Sequence, residues 1–300
     1  MNTTRRFLVL TVSLAGTMLL ASLPAAASAR GPAAARGAPA PAASALPVTS
    51  VLPVTSVLPV TSMASLGDSI TRGFNACGFY VDCPSRSWST GSSSTVNSHY
   101  RRLLADGLSL VAHNDARSGA KVADLPGQAE QAVSQGAGYV TILIGANDAC
   151  TSSEAGMTPV ADFEASFRTA MQTLVTGLPE ASVFVASIPD IGRLWEVGKG
   201  SSSARAAWAA LGICQSLLAR PRSADQADAD RRARVRQRVI DFNAVLGRVC
   251  AEQVACRYDG GTVFGYPFEL SHVSRWDYFH PSTSGQRLLA EMTYPAALGR

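Results

Sequence analysis

Apolar runs of strand length punctuate the chain at residues 60–66, 108–112, 139–144, 182–188 and 254–258. Between them lie stretches whose apolar positions recur at helical spacing, at 96–105, 125–134, 160–178 and 227–252. A last helix is predicted from Pro281 through Leu288 and Leu289, since proline suits the first helical position. Strands that alternate with helices argue for a parallel sheet covered on both faces. The segment 192–228 reads as a long insertion, with a loop at 198–203.

The beginning of the chain breaks this pattern. Arg5 and Arg6 precede an apolar stretch at 7–23 and an A-x-A site at Ala27-Ser28-Ala29, so residues 1–29 read as a signal peptide and the mature protein as secreted and extracellular. Thr4-Arg5-Arg6 also carries a hint of twin-arginine export. Residues 30–59 read as a linker: Ala, Pro and Gly dominate 31–45, and the hexapeptide LPVTSV at 46–51 recurs at 52–57 and, with Met63 at its end, at 58–63. A wall-anchoring signal of similar sequence belongs near a C-terminus, so a slipped duplication in an unconstrained spacer is the plainer reading. Residues 60–300 remain for one α/β domain. No later stretch is apolar for long enough to span a bilayer.

Composition narrows the function classes. The formal net charge of +4 falls to about +2 once Arg5 and Arg6 are removed, too small to imply a nucleic-acid partner. The six cysteines Cys77, Cys83, Cys150, Cys214, Cys250 and Cys256 all lie in the exported part, where disulfides are favoured over thiols. Six allow fifteen pairings, and the close spacings suggest Cys77–Cys83 and Cys250–Cys256, leaving Cys150 with Cys214. Zinc is the competing use, but there is no C-x-x-C pair and no histidine beside any cysteine, so no metal site and no cofactor is expected.

Ligands of an open parallel sheet bind beyond the carboxyl ends of its strands. Ser69 follows the first predicted strand, Gly119 the second by a few residues, and Asn147-Asp148 the third. Far along the chain, Asp277-Tyr278-Phe279-His280 puts a carboxylate and an imidazole on one short segment. A serine hydroxyl needs an imidazole to take its proton and a carboxylate to orient that imidazole. The G-x-S-x-G elbow of α/β-hydrolases matches only halfway, because position 71 is threonine. Ser118-Gly119-Ala120-Lys121 spells the S-x-x-K of penicillin-binding enzymes, but K-T-G and S-D-N elements are missing.

The chain resembles the SGNH (GDSL-type) hydrolases in four ordered blocks: Gly67-Asp68-Ser69-Ile70, residues 114–119, Gly145-Ala146-Asn147-Asp148 and Asp277 to His280. The resemblance implies a three-layer α/β/α sandwich with a parallel, flavodoxin-like sheet. It also implies Ser69 as nucleophile, His280 as base, Asp277 as its orienter, and an oxyanion hole made by Ser69, Gly119 and Asn147. A finer resemblance is to the phospholipase B-like branch, through residues 86–92 and the A-x-x-x-D-L-P-x-Q run at 120–128. It implies metal-independent cleavage of lipid esters, with Arg86 toward a phosphate and Trp88 toward an acyl chain, unless those two form a structural stack near a disulfide.

The expected protein is thus a monomeric ester hydrolase acting on lipid or other small esters, with transient contact to a membrane surface. The alternatives are a carbohydrate acetyl esterase with the same residues and a non-catalytic surface-binding protein. Asp68 and Asp148 are read as orienting groups, and His99, His113 and His272 as surface or core residues. Because histidine titrates near 6.5, hydrolysis through an imidazole base is expected to decline as pH falls through roughly 6 to 7.

Overall fold

The computed structural model describes residues 60–299. The expected signal peptide at 1–29 and linker at 30–59 lie outside the described residues. The five strands are β1 (Ser62–Gly67), β2 (Val111–Asn114), β3 (Tyr139–Leu143), β4 (Ser182–Val185) and β5 (Cys256–Tyr258). All pair in parallel in the order β2-β1-β3-β4-β5. The helices are α1 (Ser69–Arg72), α2 (His99–Ala105), α3 (Leu125–Ser134), α4 (Ala146–Ala149), α5 (Val160–Gly177), α6 (Ile191–Gly198), α7 (Ser202–Ala210), α8 (Gln215–Leu218), α9 (Gln226–Ala251), α10 (Thr262–Gly265) and α11 (Thr283–Leu298).

Buried strands explain the continuous apolar runs. In β3, Val140, Ile142 and Leu143 are fully buried, and in β4 Phe184 and Val185 are as well. Successive side chains of a strand face opposite ways, so Ala64 and Leu66 of β1 join the larger core while Met63 packs with Leu103 of α2 and Tyr294 of α11. Helices α3, α5 and α9 pack side by side over the larger core. The result is a three-layer α/β/α sandwich. Chain order reverses beside β1, whose neighbours are β2 and β3, and such a switch point is where open sheets bind ligands.

Three expectations shift. Strand β2 starts at Val111 rather than at residue 108, because Leu108 N still donates to Leu103 O at the end of α2 and pairing with β1 begins only at Val111, opposite Ser62. The last helix starts at Thr283, not at Pro281: Ser282 caps it by accepting from Gly285 N, while Pro281 bridges to Val273. The segment at 192–228 is mostly helical, and its loop shrinks to the turn between α6 and α7. Ser201 begins α7 by accepting from Ala204 N, a cap the serine-rich stretch concealed. Among the described residues, no helix is long and apolar enough to cross a membrane.

The disulfides are Cys77–Cys83, Cys150–Cys214 and Cys250–Cys256. The first closes a loop after α1. The second ties the end of α4 to the start of α8, and the third joins the end of α9 to β5.

Candidate active site

Gly67 ends β1 with φ of 145°, and a Cβ there would lie 2.2 Å from the Leu143 carbonyl oxygen, so only glycine lets the chain turn against β3. Gln128 of α3 clamps that turn. Its Oε1 accepts from Gly67 N at 2.7 Å and its Nε2 donates to Gly67 O at 2.9 Å. Asp68 then caps α1 by accepting from Ile70 N at 2.8 Å, which leaves Ser69 as the first helical residue, at the positive end of a short helix.

His280 reaches Ser69 from the far end of the chain. Its Nε2 lies 2.8 Å from Ser69 Oγ and its Nδ1 2.6 Å from Asp277 Oδ2. An ionised carboxylate can only accept, so Nδ1 carries the proton and Nε2 presents its lone pair to the serine hydroxyl. Asp277 is itself held. Its Oδ1 accepts from Phe279 N at 2.9 Å and His280 N at 3.1 Å, and its Oδ2 also accepts from Asn75 Nδ2 at 2.6 Å. Burial pushes this carboxyl upward, but the bonds and charge from His280 and the amide donors outweigh it and hold Asp277 below the usual carboxylate range. The Val273–Pro281 bridge and the bond from Ser274 N to His280 O at 2.7 Å close the loop that presents both groups.

A cleft of about 250 Å³ opens over this pair, lined by Ser69, Gly119, Asn147, Phe74, Tyr80 and His280 among others. Gly119 has φ of 84° with open space where a Cβ would stand, so its backbone conformation, not crowding, calls for glycine. One amide hydrogen of Asn147 is fixed by donation to Ala120 O at 2.9 Å, which leaves the other as a donor held in a set direction. Asp148 is bound by Val122 N at 2.9 Å and Thr158 Oγ1 at 2.7 Å, joining the turns after β2 and β3. Burial raises its carboxyl. Burial also pushes the Asp68 carboxyl up to about 7 against the Ile70 N–H bond, and Asp68 Oδ2 has no hydrogen-bond partner.

Two predicted binding residues stand elsewhere. Trp88 is 0% exposed, its Nε1 donating to Thr71 Oγ1 at 3.2 Å, so it buttresses α1 and has no face for an acyl chain. Arg86 donates to Ala76 O at 2.9 Å and to Thr283 Oγ1, tying the Cys77–Cys83 loop to α11 rather than awaiting a phosphate. Ser118 donates to Asp82 Oδ1 at 2.5 Å, which commits its hydroxyl proton to a carboxylate and not to Lys121. Neither is His99 at the site: it is a buried core residue. Among the described residues no group of three or more His, Cys, Asp or Glu is placed to hold a metal.

Sequence reasoning missed Asn75, Phe74 and Phe279. Asn75 adopts φ of 58° and accepts from Tyr80 N at 2.6 Å while donating to Asp277, a fold-dependent link across more than two hundred residues. The ring of Phe74 sits 4.8 Å from that of His280, and that of Phe279 5.1 Å. An asparagine soon after the serine turn was the only available signal.

The family model for GDSL-like lipases and acylhydrolases matches residues 65–288. No curated protein matches the chain by sequence. Among solved structures, a mutant of an acetyl-xylooligosaccharide esterase from Geobacillus is 16% identical with a TM-score of 0.50, covering 79% of this chain and 94% of its own. The extracellular lipase of Streptomyces rimosus is 22% identical with a TM-score of 0.43, covering 80% of this chain and 99% of its own. Identities this low speak to fold alone.

Proposed function

Since the chain belongs to the GDSL-like lipase/acylhydrolase family and is therefore an ester hydrolase, we propose that it works through an acyl-enzyme on Ser69 and that its esters are lipids. The observation that carries the mechanism is the continuous line from Asp277 through His280 to Ser69, with separations of 2.6 and 2.8 Å.

Ser69 Oγ attacks the ester carbonyl carbon as His280 Nε2 takes the hydroxyl proton. The carbonyl oxygen becomes an oxyanion beside the backbone N–H groups of Ser69 and Gly119 and the free amide hydrogen of Asn147. Collapse breaks the bond to the alkoxide, which leaves with the proton held on Nε2. Water then gives a proton to Nε2 and attacks the acyl-enzyme, and the acid departs as Ser69 recovers its hydrogen. Asp277 keeps Nδ1 protonated throughout and offsets the imidazolium charge. None of these steps calls on a metal or a cofactor.

An apolar patch beside the cleft supports the lipid reading. Phe79 is 53% exposed, Tyr80 60%, Val81 43% and Trp276 40%. The Phe79 ring stands 5.8 Å from that of Trp276, and Tyr80 lines the cleft. Aromatic groups of this kind settle at lipid–water boundaries, which fits transient contact with a lipid surface. The disulfides fit an exported protein. A fluorophosphonate probe is expected to label the wild type and not Ser69→Ala, whose kcat on p-nitrophenyl butyrate should fall by about 10⁴ to 10⁶. Labelling that persists in the variant would remove Ser69 as nucleophile. In a panel of lysophospholipid, diacyl phospholipid, triglyceride and acetylated xylan, preference for xylan would replace the lipid reading with that of an acetyl esterase.

A further inference from the structure

Behind the cleft lies a second cavity, of about 70 Å³, walled by Ile70, Ile191, Leu194, Val197, Phe268 and Leu289. Phe279 lines this cavity and the cleft alike. Two lining residues adjoin the reaction centre along the chain: Ile70 follows Ser69, and Ala146 precedes Asn147. An ester carbonyl held between Ser69 and Asn147 would stand across the Phe279 ring from it.

The walls suit hydrocarbon and little else. Helix α6 turns Ile191, Leu194 and Val197 toward the space at helical spacing. The few polar side chains on the lining are already engaged. Asp190 accepts from Gly192 N at 2.9 Å and pairs with Arg236 at 2.8 Å, while His272 Nδ1 accepts from Glu269 N at 3.1 Å. Water inside would find few partners, and close packing normally removes such space. By a measure in which one water-sized sphere takes about 10–15 Å³, the cavity of about 70 Å³ holds roughly five to seven spheres, room for a short hydrocarbon chain.

We propose that this cavity is the acyl-chain subsite and that Phe279 is the specificity-determining residue that admits the chain to it, an inference resting on the lipid-ester reading above. The backbone of Phe279 is pinned by its N–H bond to Asp277, at 2.9 Å, so admission occurs by rotation of its side chain without disturbing His280. Acyl groups of medium length fill the cavity, and longer ones demand that the ring stay displaced.

The test is kcat/KM on p-nitrophenyl acetate, butyrate, octanoate and laurate for the wild type, Leu194→Trp, Val197→Phe and Phe279→Ala, with melting curves to establish that each is folded. The wild type is expected to favour octanoate over acetate. Filling the cavity from either position on α6 should lower the octanoate-to-acetate ratio at least about tenfold, the discrimination one methylene can give in an apolar pocket. Phe279→Ala should raise the laurate-to-octanoate ratio. Ratios within twofold of wild type in folded variants would overturn the subsite while leaving Ser69-dependent hydrolysis in place. Loss of the broader reading would look different: no Ser69-dependent hydrolysis of any ester, or a strict acetyl preference that the cavity variants do not move.

Discussion

Two histidines in this protein bind a hydroxyl oxygen through Nε2 at the same distance, 2.8 Å, and they are set up for opposite ends. His280 stands at the cleft with Asp277 on Nδ1 and Ser69 on Nε2. His99 is fully buried, with the Tyr139 hydroxyl 2.7 Å from Nδ1 and Thr293 Oγ1 at Nε2. Thr293 spends its own proton on Leu289 O at 2.6 Å, so His99 must donate through Nε2 and accept from Tyr139 at Nδ1. The tautomers are therefore reversed. His280 offers the serine a lone pair, whereas His99 offers the threonine a hydrogen and can take no proton from it. A hydroxyl–imidazole contact does not by itself present a lone pair to the hydroxyl; the carboxylate behind His280 does, and the proposed mechanism uses it at the open cleft.

The strongest way to break that contrast is Asp277→Asn. The amide can donate to Nδ1 and turn His280 into the tautomer of His99, and kcat should fall by about 10³ to 10⁴ with the fold retained. A loss under tenfold would mean that the carboxylate does not set the tautomer. Next comes the core histidine. Burial pushes His99 down to about 3, with Arg102 adding to the effect. In the unfolded chain it titrates near 6.5, so the native state binds fewer protons between these values and stability falls as pH drops from about 6.5 toward 3. This contribution is on the order of 5 kcal/mol. His99→Phe should flatten that part of a melting-temperature profile while leaving kcat near wild type, and an equal loss of kcat would erase the distinction between the two rings.

The smallest effect concerns Asp68, which runs the other way. Its folded value of about 7 lies above its unfolded one, so the native state holds a proton that the unfolded chain has lost, and stability declines as pH rises from about 4 to 7. Asp68→Asn keeps the acceptor for Ile70 N and removes the buried charge. Unfolding at pH 8 should cost roughly 1–3 kcal/mol more than in the wild type, read from denaturant titrations. A destabilised variant would show that the ionised carboxylate is needed beneath the serine turn.

The candidate site was legible because its residues sit at strand ends, where the backbone itself directs them. Gly67, Ser69, Gly119 and Asn147 follow consecutive strands of a parallel sheet, and any such sheet brings those positions to one edge. Trp88 and Arg86 were misplaced because a residue type announces chemistry it can perform and is silent on which face is covered. Trp88 disappears beneath Thr71 and Gln286. The start of α11 was misjudged for a similar reason: Pro281 could open a helix locally, yet its bridge to Val273 holds it in the loop that presents His280.

By itself, then, the sequence determined the alternation of strands and helices, the turn at Gly67, and the residue types of the serine, histidine and aspartate line. Periodicity and glycine conformation act over a few residues and can be read where they stand. Only the tertiary structure decided the tautomer of each histidine, the support of Asp277 by Asn75, and the apolar cavity that α6 closes behind Phe279. Each of these depends on atoms far apart in the chain meeting within hydrogen-bond or van der Waals distance, and local pattern carries no record of such meetings.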